Sequence, residues 1–252
     1  MSIGTKILNK IVSLAQATGG QVEGNKDVTD EMKNLARTTA EEGVVMLKND
    51  GALPLSENDV VAVFGRVQND WFYVGYGSGG DVKPPYKVNL IKGLENEGVK
   101  IDETLKKIYA DWSVKNVPYE GFWGHWPFHF DEMPLSDKVV GEAAKRANKA
   151  IVVIGRAAGE DREQKLEKGS FYLTDEEKKM LSVVTKNFKS TILIIDNGNI
   201  MDLSFIDAYG SALSAALYVW NGGMESGNAV ARVLSGKVNP SGSCLLYTSE
   251  AA

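Results

Sequence analysis

The sequence predicts an α/β protein with a mostly parallel sheet flanked by helices on both faces. Four short runs of β-branched and aliphatic residues are almost continuously apolar, as expected of strands that are buried on both faces. These runs cover residues 60–64, 150–154, 191–195 and 215–219, and residues 44–47 form a fifth candidate strand. Because segments with helical period separate the runs, we expect right-handed crossovers between parallel strands.

Three helices are predicted between and after these strands. They cover residues 136–147, 174–187 and 224–234. The second helix opens with Thr174 and Glu177, the spacing of a capping box that satisfies the first free amides of a helix. Ligands of open α/β sheets bind outside the carboxyl ends of the strands, so the glycine-rich and polar strand exits are the predicted site.

Composition and charge limit the classes of ligand. The chain of 252 residues is 43% hydrophobic and 24% charged, which is typical of a soluble globular protein. Its net charge of -5 disfavours nucleic acid and anionic membranes as partners, since both require a basic surface. A neutral small molecule is the expected ligand, and no apolar run is long enough to span a bilayer.

Cysteine usage and the N-terminal sequence indicate the cellular compartment of the protein. Cys244 is the only cysteine, so no internal disulfide can form and nothing requires an oxidising environment. Residues 1–20 contain apolar positions that Lys6, Asn9 and Lys10 interrupt, unlike a secretory signal. These features predict a cytoplasmic protein that begins with an amphipathic helix.

A glycine-rich segment, VGYGSGGD, is the first candidate for chemistry. Gly75, Gly77 and Gly80 match the G-x-G-x-x-G pattern of dinucleotide-binding loops. Such a loop must join a strand directly to a helix, whereas here the predicted strand ends well before the glycines and two prolines follow them. The segment is therefore either a tight turn or a loop whose backbone and Ser78 hydroxyl approach a ligand.

The sequence GRAAGEDRE, just beyond predicted strand 150–154, is the second candidate. Glu160 in this position can enter a cleft, lose solvation and acquire the raised pKa that a general acid requires. The neighbouring charges of Asp161, Arg162 and Glu163 are more typical of a solvated loop. Composition alone favours the solvated loop.

Two histidines have the spacing of metal ligands on a helix. His125 and His129 are four residues apart, but Trp126 and Pro127 between them argue against a shared helix face. Since no cysteine or carboxylate cluster completes a site, neither a metal nor any other cofactor is predicted.

Six segments, in their order and spacing, resemble the α/β sandwich domain of glycoside hydrolase family 3. They read AEEGVVMLKNDGALPL, VAVFGR, VGYGSGGDV, VVIGRAAGEDRE, EKGSFYLTDEE and YVWNGGMESGNAVARVLSGKVNPSG. The resemblance extends over residues 36–242. It implies a flavodoxin-like α/β sandwich and β-glucosidase activity on a carbohydrate substrate.

The resemblance also implies site residues. Family members carry a general acid/base glutamate in a loop like A-G-E, which corresponds to Glu160 here. The sequence pattern alone does not distinguish Glu160 from Asp161 or Glu163 in this role. The serine of a G-x-G-S-G loop contacts the sugar next to the cleaved bond, which corresponds to Ser78 with its neighbours Gly77 and Gly79. The implied reaction is retaining hydrolysis, which needs two carboxyl groups, and only one can be assigned in this chain.

In the family the second carboxylate belongs to a TIM barrel, and the resemblance implies that this barrel follows downstream in the same polypeptide. The expected organisation is a lead-in helix and linker in residues 1–29, the sandwich domain in residues 30–242 and a divergent tail in residues 243–252. The tail resembles the translation of a sequencing adapter, which predicts a truncated chain; the alternative is a genuine divergent terminus. Because the barrel with the nucleophile is missing, we expect the chain alone to be inactive. The alternative is a non-catalytic module that binds sugar or packs against a partner domain.

Aromatic residues crowd two of the loops, which predicts an apolar patch that a further domain normally covers. These residues are Trp71, Phe72, Tyr73, Phe122, Trp123, Trp126, Phe128 and Phe130.

Overall fold

The computed structural model describes residues 27–76, 84–119, 126–160 and 164–243. Within these ranges the strands are β1 (Val45–Asn49), β2 (Val60–Phe64), β3 (Lys100–Ile101), β4 (Lys149–Arg156), β5 (Thr191–Asn197) and β6 (Leu213–Tyr218). The helices are α1 (Asp30–Gly43), α2 (Leu90–Asn96), α3 (Glu103–Lys115), α4 (Asp137–Arg146), α5 (Asp175–Asn187), α6 (Ser204–Tyr209) and α7 (Ser226–Leu234). Short 3-10 turns follow β2 and α6.

The six strands form one sheet in the order β1-β6-β5-β4-β2-β3. All neighbours are parallel except the edge strand β1, which runs antiparallel to β6. The five parallel strands follow the flavodoxin-like order, in which the chain reverses its direction of travel across the sheet between β2 and β4. The predicted α/β class with a mostly parallel sheet is confirmed.

Helices cover both faces of the sheet because successive strand residues point to opposite sides. In β2, Val61 and Val63 contribute to one apolar cluster, whereas Ala62 and Phe64 contribute to the other. Buried residues of α2 and α7 complete the first cluster, and those of α3, α4 and α5 complete the second. This two-sided burial explains why the strands are continuous apolar runs.

The five predicted strands and the three predicted helices between residues 136 and 234 all occur, with small differences at their ends. Helix α5 begins with the predicted capping box, in which Thr174 and Glu177 bond each other's backbone amides. Helices α1, α2, α3 and α6 and the short strand β3 were not predicted from the sequence. The lead-in helix and the tail of residues 244–252 fall on residues outside the described ranges.

The described chain ends beside the junction of α1 and β1, at the antiparallel edge of the sheet. The Gly242 amide donates to the Val44 carbonyl oxygen at 3.0 Å, beside the start of β1. The Ser241 hydroxyl donates to the Glu42 carbonyl oxygen at 3.3 Å. In the part of the chain that the structure describes, no helix is long and apolar enough to cross a membrane.

Candidate functional site

The two candidate loops leave neighbouring strands on either side of the point where the strand order reverses. The glycine loop, residues 75–80, lies beyond β2, and the Glu160 loop, residues 157–174, joins β4 to α5. The structure describes the glycine loop through Tyr76 and all of the Glu160 loop except residues 161–163. Crevices at such a reversal are the usual ligand sites of this architecture.

A short backbone clamp brings these two loops together. Tyr76 and Gly159 form a parallel β-bridge. The Tyr76 amide donates to the Ala158 carbonyl oxygen at 2.7 Å, and the Glu160 amide donates to the Tyr76 carbonyl oxygen at 3.0 Å. A Cβ atom on Gly159 would lie 2.2 Å from the Tyr76 carbonyl oxygen, so only glycine permits this approach.

A third segment, residues 126–130, packs beside the clamp. The Trp126 ring is stacked on the Tyr76 ring, with centroids 5.7 Å apart and an interplanar angle of 6°. The Ala157 amide donates to the Phe128 carbonyl oxygen at 2.7 Å. The start of the Glu160 loop is therefore bonded on two sides, and the aromatic stack lies beside its bridge to Tyr76.

Arg156, the last residue of β4, fixes the other side of the Glu160 loop. Its guanidinium is buried and forms a bidentate ion pair with Glu177 of α5, at 2.6 and 2.7 Å. It also donates to the carbonyl oxygens of Gly155, Ser170 and Tyr172 at 2.8, 3.1 and 3.3 Å. Burial opposes ionisation of Glu177, but the Arg156 charge and hydrogen bonds outweigh it and lower the Glu177 pKa.

Asp196, at the end of β5, connects the exits of three strands. Its Oδ2 accepts a hydrogen bond from the Phe72 amide at 2.8 Å, and its Oδ1 accepts one from the Asn221 side-chain amide at 3.1 Å. Burial raises the pKa of Asp196 well above its usual value, because these two bonds do not offset the loss of solvation. A neutral carboxyl group at this position avoids a buried charge.

Glu132 is a second acid with a raised pKa. Its carboxylate oxygens accept hydrogen bonds from the backbone amides of Arg66 and Met133, each at 2.7 Å. Burial nevertheless raises the pKa of Glu132 to about 8, and the negative charge of Glu177 adds to the rise. Glu132 belongs to the packing below the strand exits and does not join the Tyr76–Gly159 bridge.

Comparison with known proteins identifies the family. Residues 44–247 match the Glycosyl hydrolase family 3 C-terminal domain. The chain belongs to glycoside hydrolase family 3. Its relatives include a β-glucosidase of Ruminococcus albus, 42% identical over 86% of this chain and 23% of the relative. β-Glucosidase A of Butyrivibrio fibrisolvens is 35% identical over 87% of this chain and 29% of the relative.

Two solved β-glucosidase structures contain the same fold. A β-glucosidase from Paenibacillus barengoltzii superposes with a TM-score of 0.81 at 38% identity, covering 85% of this chain and 24% of that one. β-Glucosidase 3B of Thermotoga neapolitana, solved in complex with glucose, gives a TM-score of 0.75 at 33% identity, covering 84% and 30% of the two chains. The family 3 domain described above thus spans less than a third of each of these proteins.

The predicted site residues of this family 3 domain are only partly described. Glu160 is exposed at the clamp. The predicted sugar-contacting residues Ser78, Gly77 and Gly79 lie outside the described residues, although the clamp holds Tyr76 directly before them. The competing carboxylates Asp161 and Glu163 also lie outside them.

The residues that organise the loops were not predicted from the sequence. Tyr76 was included only as a letter of the glycine pattern, and Glu177 only as a capping residue. One signal was available for Arg156, because a charged residue that follows the apolar run of a buried strand must find a buried partner. No sequence pattern indicated that this partner lies on the next helix.

The aromatic patch expected in this family 3 domain differs from what the structure shows. Trp71 and Phe72 are buried in the core, at 5% and 4% exposure, and Phe122 and Trp123 lie outside the described residues. The other four aromatics are half-buried. The exposed apolar side chains on the strand-exit loops are instead Leu166, Tyr172 and Ile200.

His129 belongs to no candidate metal site among the described residues. His125 lies outside the described residues. The His129 ring packs closely against Gly169, where an added Cβ atom would lie 2.1 Å from the ring carbon Cε1. Within ranges 27–76, 84–119, 126–160 and 164–243, no group of three or more His, Cys, Asp or Glu side chains could hold a metal ion.

Proposed function

We propose that this domain supplies the general acid/base carboxyl group, Glu160, of a retaining β-glycosidase that releases terminal β-linked sugars. The observation that carries the proposal is the backbone clamp, which holds Glu160 against Tyr76 and so beside the start of the glycine loop. The clamp lies where the strand order reverses, the usual ligand position in such sheets. The names of the relatives, β-glucosidases at 42% and 35% identity, support the reaction class.

In the proposed reaction, a carboxylate attacks the anomeric carbon while Glu160 donates its proton to the departing glycosidic oxygen. The carbon–oxygen bond to the leaving group breaks as the bond to the nucleophile forms. Glu160, now a carboxylate, removes a proton from water, which attacks the anomeric carbon and releases the sugar and the nucleophile. Ser78, with Gly77 and Gly79, is proposed to contact the sugar beside the cleaved bond.

The nucleophile is proposed to come from another part of the polypeptide, a TIM barrel following this domain. Retaining enzymes place their two carboxyl groups about 5 Å apart, and the resemblance to the family assigns only one of them, Glu160, to this domain. Leu166, Tyr172 and Ile200 expose apolar surface on the same strand-exit loops, as expected where another domain packs. Packing of that domain would also remove water from Glu160 and raise its pKa toward the value of a general acid.

The test compares leaving groups in the complete enzyme that contains this domain. Glu160→Ala should lower kcat/KM for phenyl β-glucoside by about 10²- to 10⁴-fold, the usual contribution of general acid catalysis. It should change kcat/KM for 2,4-dinitrophenyl β-glucoside little, because that leaving group departs without a proton. Added azide should restore kcat on the dinitrophenyl substrate by replacing water as the attacking nucleophile and forming a glycosyl azide.

Glu167→Ala is the matched control, since Glu167 is an exposed glutamate on the same loop. Glu167→Ala should leave kcat/KM unchanged for both aryl β-glucosides. Near-normal hydrolysis of phenyl β-glucoside by Glu160→Ala would refute the assignment. Parallel Asp161 and Glu163 variants would then separate a neighbouring acid from a non-catalytic module that binds sugar or packs against a partner.

The 252-residue chain alone provides a second test. It is expected to hydrolyse no aryl β-glucoside, because the proposed nucleophile is absent from it. Enzyme-like turnover by the isolated chain, abolished by Glu160→Ala, would contradict the need for a second domain.

A further inference from the structure

The Glu160 loop connects β4 to α5. Its C-terminal part, which includes Ser170 and Tyr172, is held by the buried side chain of Arg156. Glu160 lies four residues after Arg156, and the loop ends at Thr174, the N-cap of α5. Between these points, Ser170 and Tyr172 turn their carbonyl oxygens toward the Arg156 guanidinium. One side chain thus contacts the strand before the loop, the returning part of the loop and the helix after it.

The hydrogen-bonding capacity of Arg156 is fully used. A guanidinium has five N–H donors in a planar fork. All five are engaged, by two carboxylate oxygens of Glu177 and by the carbonyl oxygens of Gly155, Ser170 and Tyr172. The side chain is only 1% exposed, so these bonds do not compete with bulk water. A lysine in its place has three donors and no fork, and cannot reproduce the arrangement.

Glu177 is fixed independently of Arg156. One of its oxygens also accepts the Thr174 amide at 2.8 Å, and the Glu177 amide donates to the Thr174 hydroxyl at 3.1 Å. The capping box therefore holds the carboxylate in one orientation on the first turn of α5. Arg156 donates two parallel hydrogen bonds to the carboxylate in that orientation. The loop is therefore fixed to the first turn of α5.

We propose that Arg156 is a positioning residue that, through its ion pair with Glu177, sets where the Glu160 loop presents its carboxyl group to the glycosidic oxygen. The inference rests on the proposed function of Glu160. Its physical basis is that the near side of the loop is fixed by the clamp to Tyr76, while the far side is fixed by Arg156. Loosening the side that Arg156 holds displaces the acid while the nucleophile and the glycine loop stay in place.

Arg156→Lys in the complete enzyme tests this role through leaving-group dependence. A displaced acid should lower kcat/KM for phenyl β-glucoside by about tenfold to a hundredfold, as expected for a misplacement near 1 Å. The value for 2,4-dinitrophenyl β-glucoside should change less than about twofold, because no proton is needed at that step. A residue that only stabilises the fold would lower both values equally by reducing the fraction of active enzyme.

A bidentate ion pair at the other end of the sheet provides the control. Arg146 bonds both carboxylate oxygens of Asp102, at 2.9 and 2.8 Å, near the start of β2. Arg146→Lys makes the same chemical change and should leave the ratio of the two kcat/KM values unchanged. If Arg156→Lys does not fold, Arg156→Met combined with Glu177→Met removes both charges, a replacement that buried pairs often tolerate. That double variant should show the same selective loss.

The outcomes separate the two proposals. If Glu160→Ala lacks the selective loss on phenyl β-glucoside, the proposed function itself fails. A second outcome is that Glu160→Ala shows that loss while the Arg156 variants lower kcat/KM for both substrates equally, or for neither. In that case only the positioning role of Arg156 is overturned. A selective loss in the Arg156 variants, absent in Arg146→Lys, is the expected result.

Discussion

The carbonyl oxygen of Tyr76 lies 2.2 Å from the position that a Cβ atom on Gly159 would occupy. The two backbones are in direct contact there, since each flank of Gly159 is bonded to Tyr76. The glycine beside Glu160 is thus required by the proximity of another chain segment, independently of any substrate.

Gly159→Ala should therefore separate the two loops. We expect kcat/KM of the complete enzyme for phenyl β-glucoside to fall by about a hundredfold, because the new methyl group forces Glu160 away from its position. Gly43→Ala is the matched control, as an added Cβ there meets nothing within 4 Å. Steady-state kinetics of both variants check the prediction, and normal activity of Gly159→Ala would show that the clamp can yield without consequence.

The raised pKa of Glu132 predicts a stability that falls as pH rises. An acid whose folded pKa is about 8 instead of 4.5 holds its proton more tightly when folded. Its contribution is complete below about pH 4.5 and is lost as pH approaches 8, with a slope of at most about 1.4 kcal/mol per pH unit. Urea unfolding at pH 5, 6, 7 and 8 should show this decline in the wild-type chain.

Glu132→Gln keeps the shape of the side chain but removes its ionisation. The free energy of unfolding of this variant should decline less between pH 5 and 8 than that of the wild type. Identical slopes for the two proteins would assign the pH dependence to other groups.

Asp59 predicts the opposite dependence at acid pH. Burial alone would raise its pKa, but hydrogen bonds from the Ser56 amide, Lys149 and Asn148 outweigh burial and lower the value from 3.8 to about 2. Its contribution is present above about pH 4 and is lost as pH falls toward 2. Asp59→Asn should lower the free energy of unfolding at pH 7 by about 2 kcal/mol, and the difference from the wild type should shrink in acid. An equal difference at pH 7 and pH 2.5 would contradict this account.

Two glycines hold α2 and α7 at close range. A Cβ atom on Gly227 would lie 2.2 Å from the Asn89 carbonyl oxygen, and one on Gly93 would lie 2.0 Å from the Gly227 carbonyl oxygen. Gly227→Ala should reduce the free energy of unfolding by about 2 kcal/mol or more, since the helices must separate. Gly141→Ala in α4 should instead stabilise by about 0.5 to 1 kcal/mol, because its nearest neighbour is an ordinary contact at 3.6 Å. Thermal unfolding of the pair checks the difference in sign.

The strands were predictable because burial on both faces leaves a continuous apolar run, and for β2 the predicted and observed bounds coincide. Strand β3 was not predictable in this way, since its two residues, Lys100 and Ile101, are too few to show a pattern. Helix α3 was predictable from periodicity although it was not predicted, because Leu105, Ile108, Tyr109 and Trp112 lie at helical spacing.

The site was predictable only as two separate loops. Glu160 and the glycine segment were found by their sequences, but their contact depends on the pairing of β2 with β4, which joins residues far apart in the chain. The role of Arg156 depends on a partner 21 residues later, whose own signal was that of a helix cap. Such relationships arise from tertiary packing, and neither local propensity nor periodicity contains them.

The bond between Gly242 and Val44 places the end of the described chain beside the junction of α1 and β1. The chain enters one helix earlier, at the start of α1, so its two ends lie roughly 20 Å apart along that helix. A domain that preceded this one would therefore attach at the opposite end of α1 from a domain that followed it. The two domain orders require linkers of different path to form the same cleft.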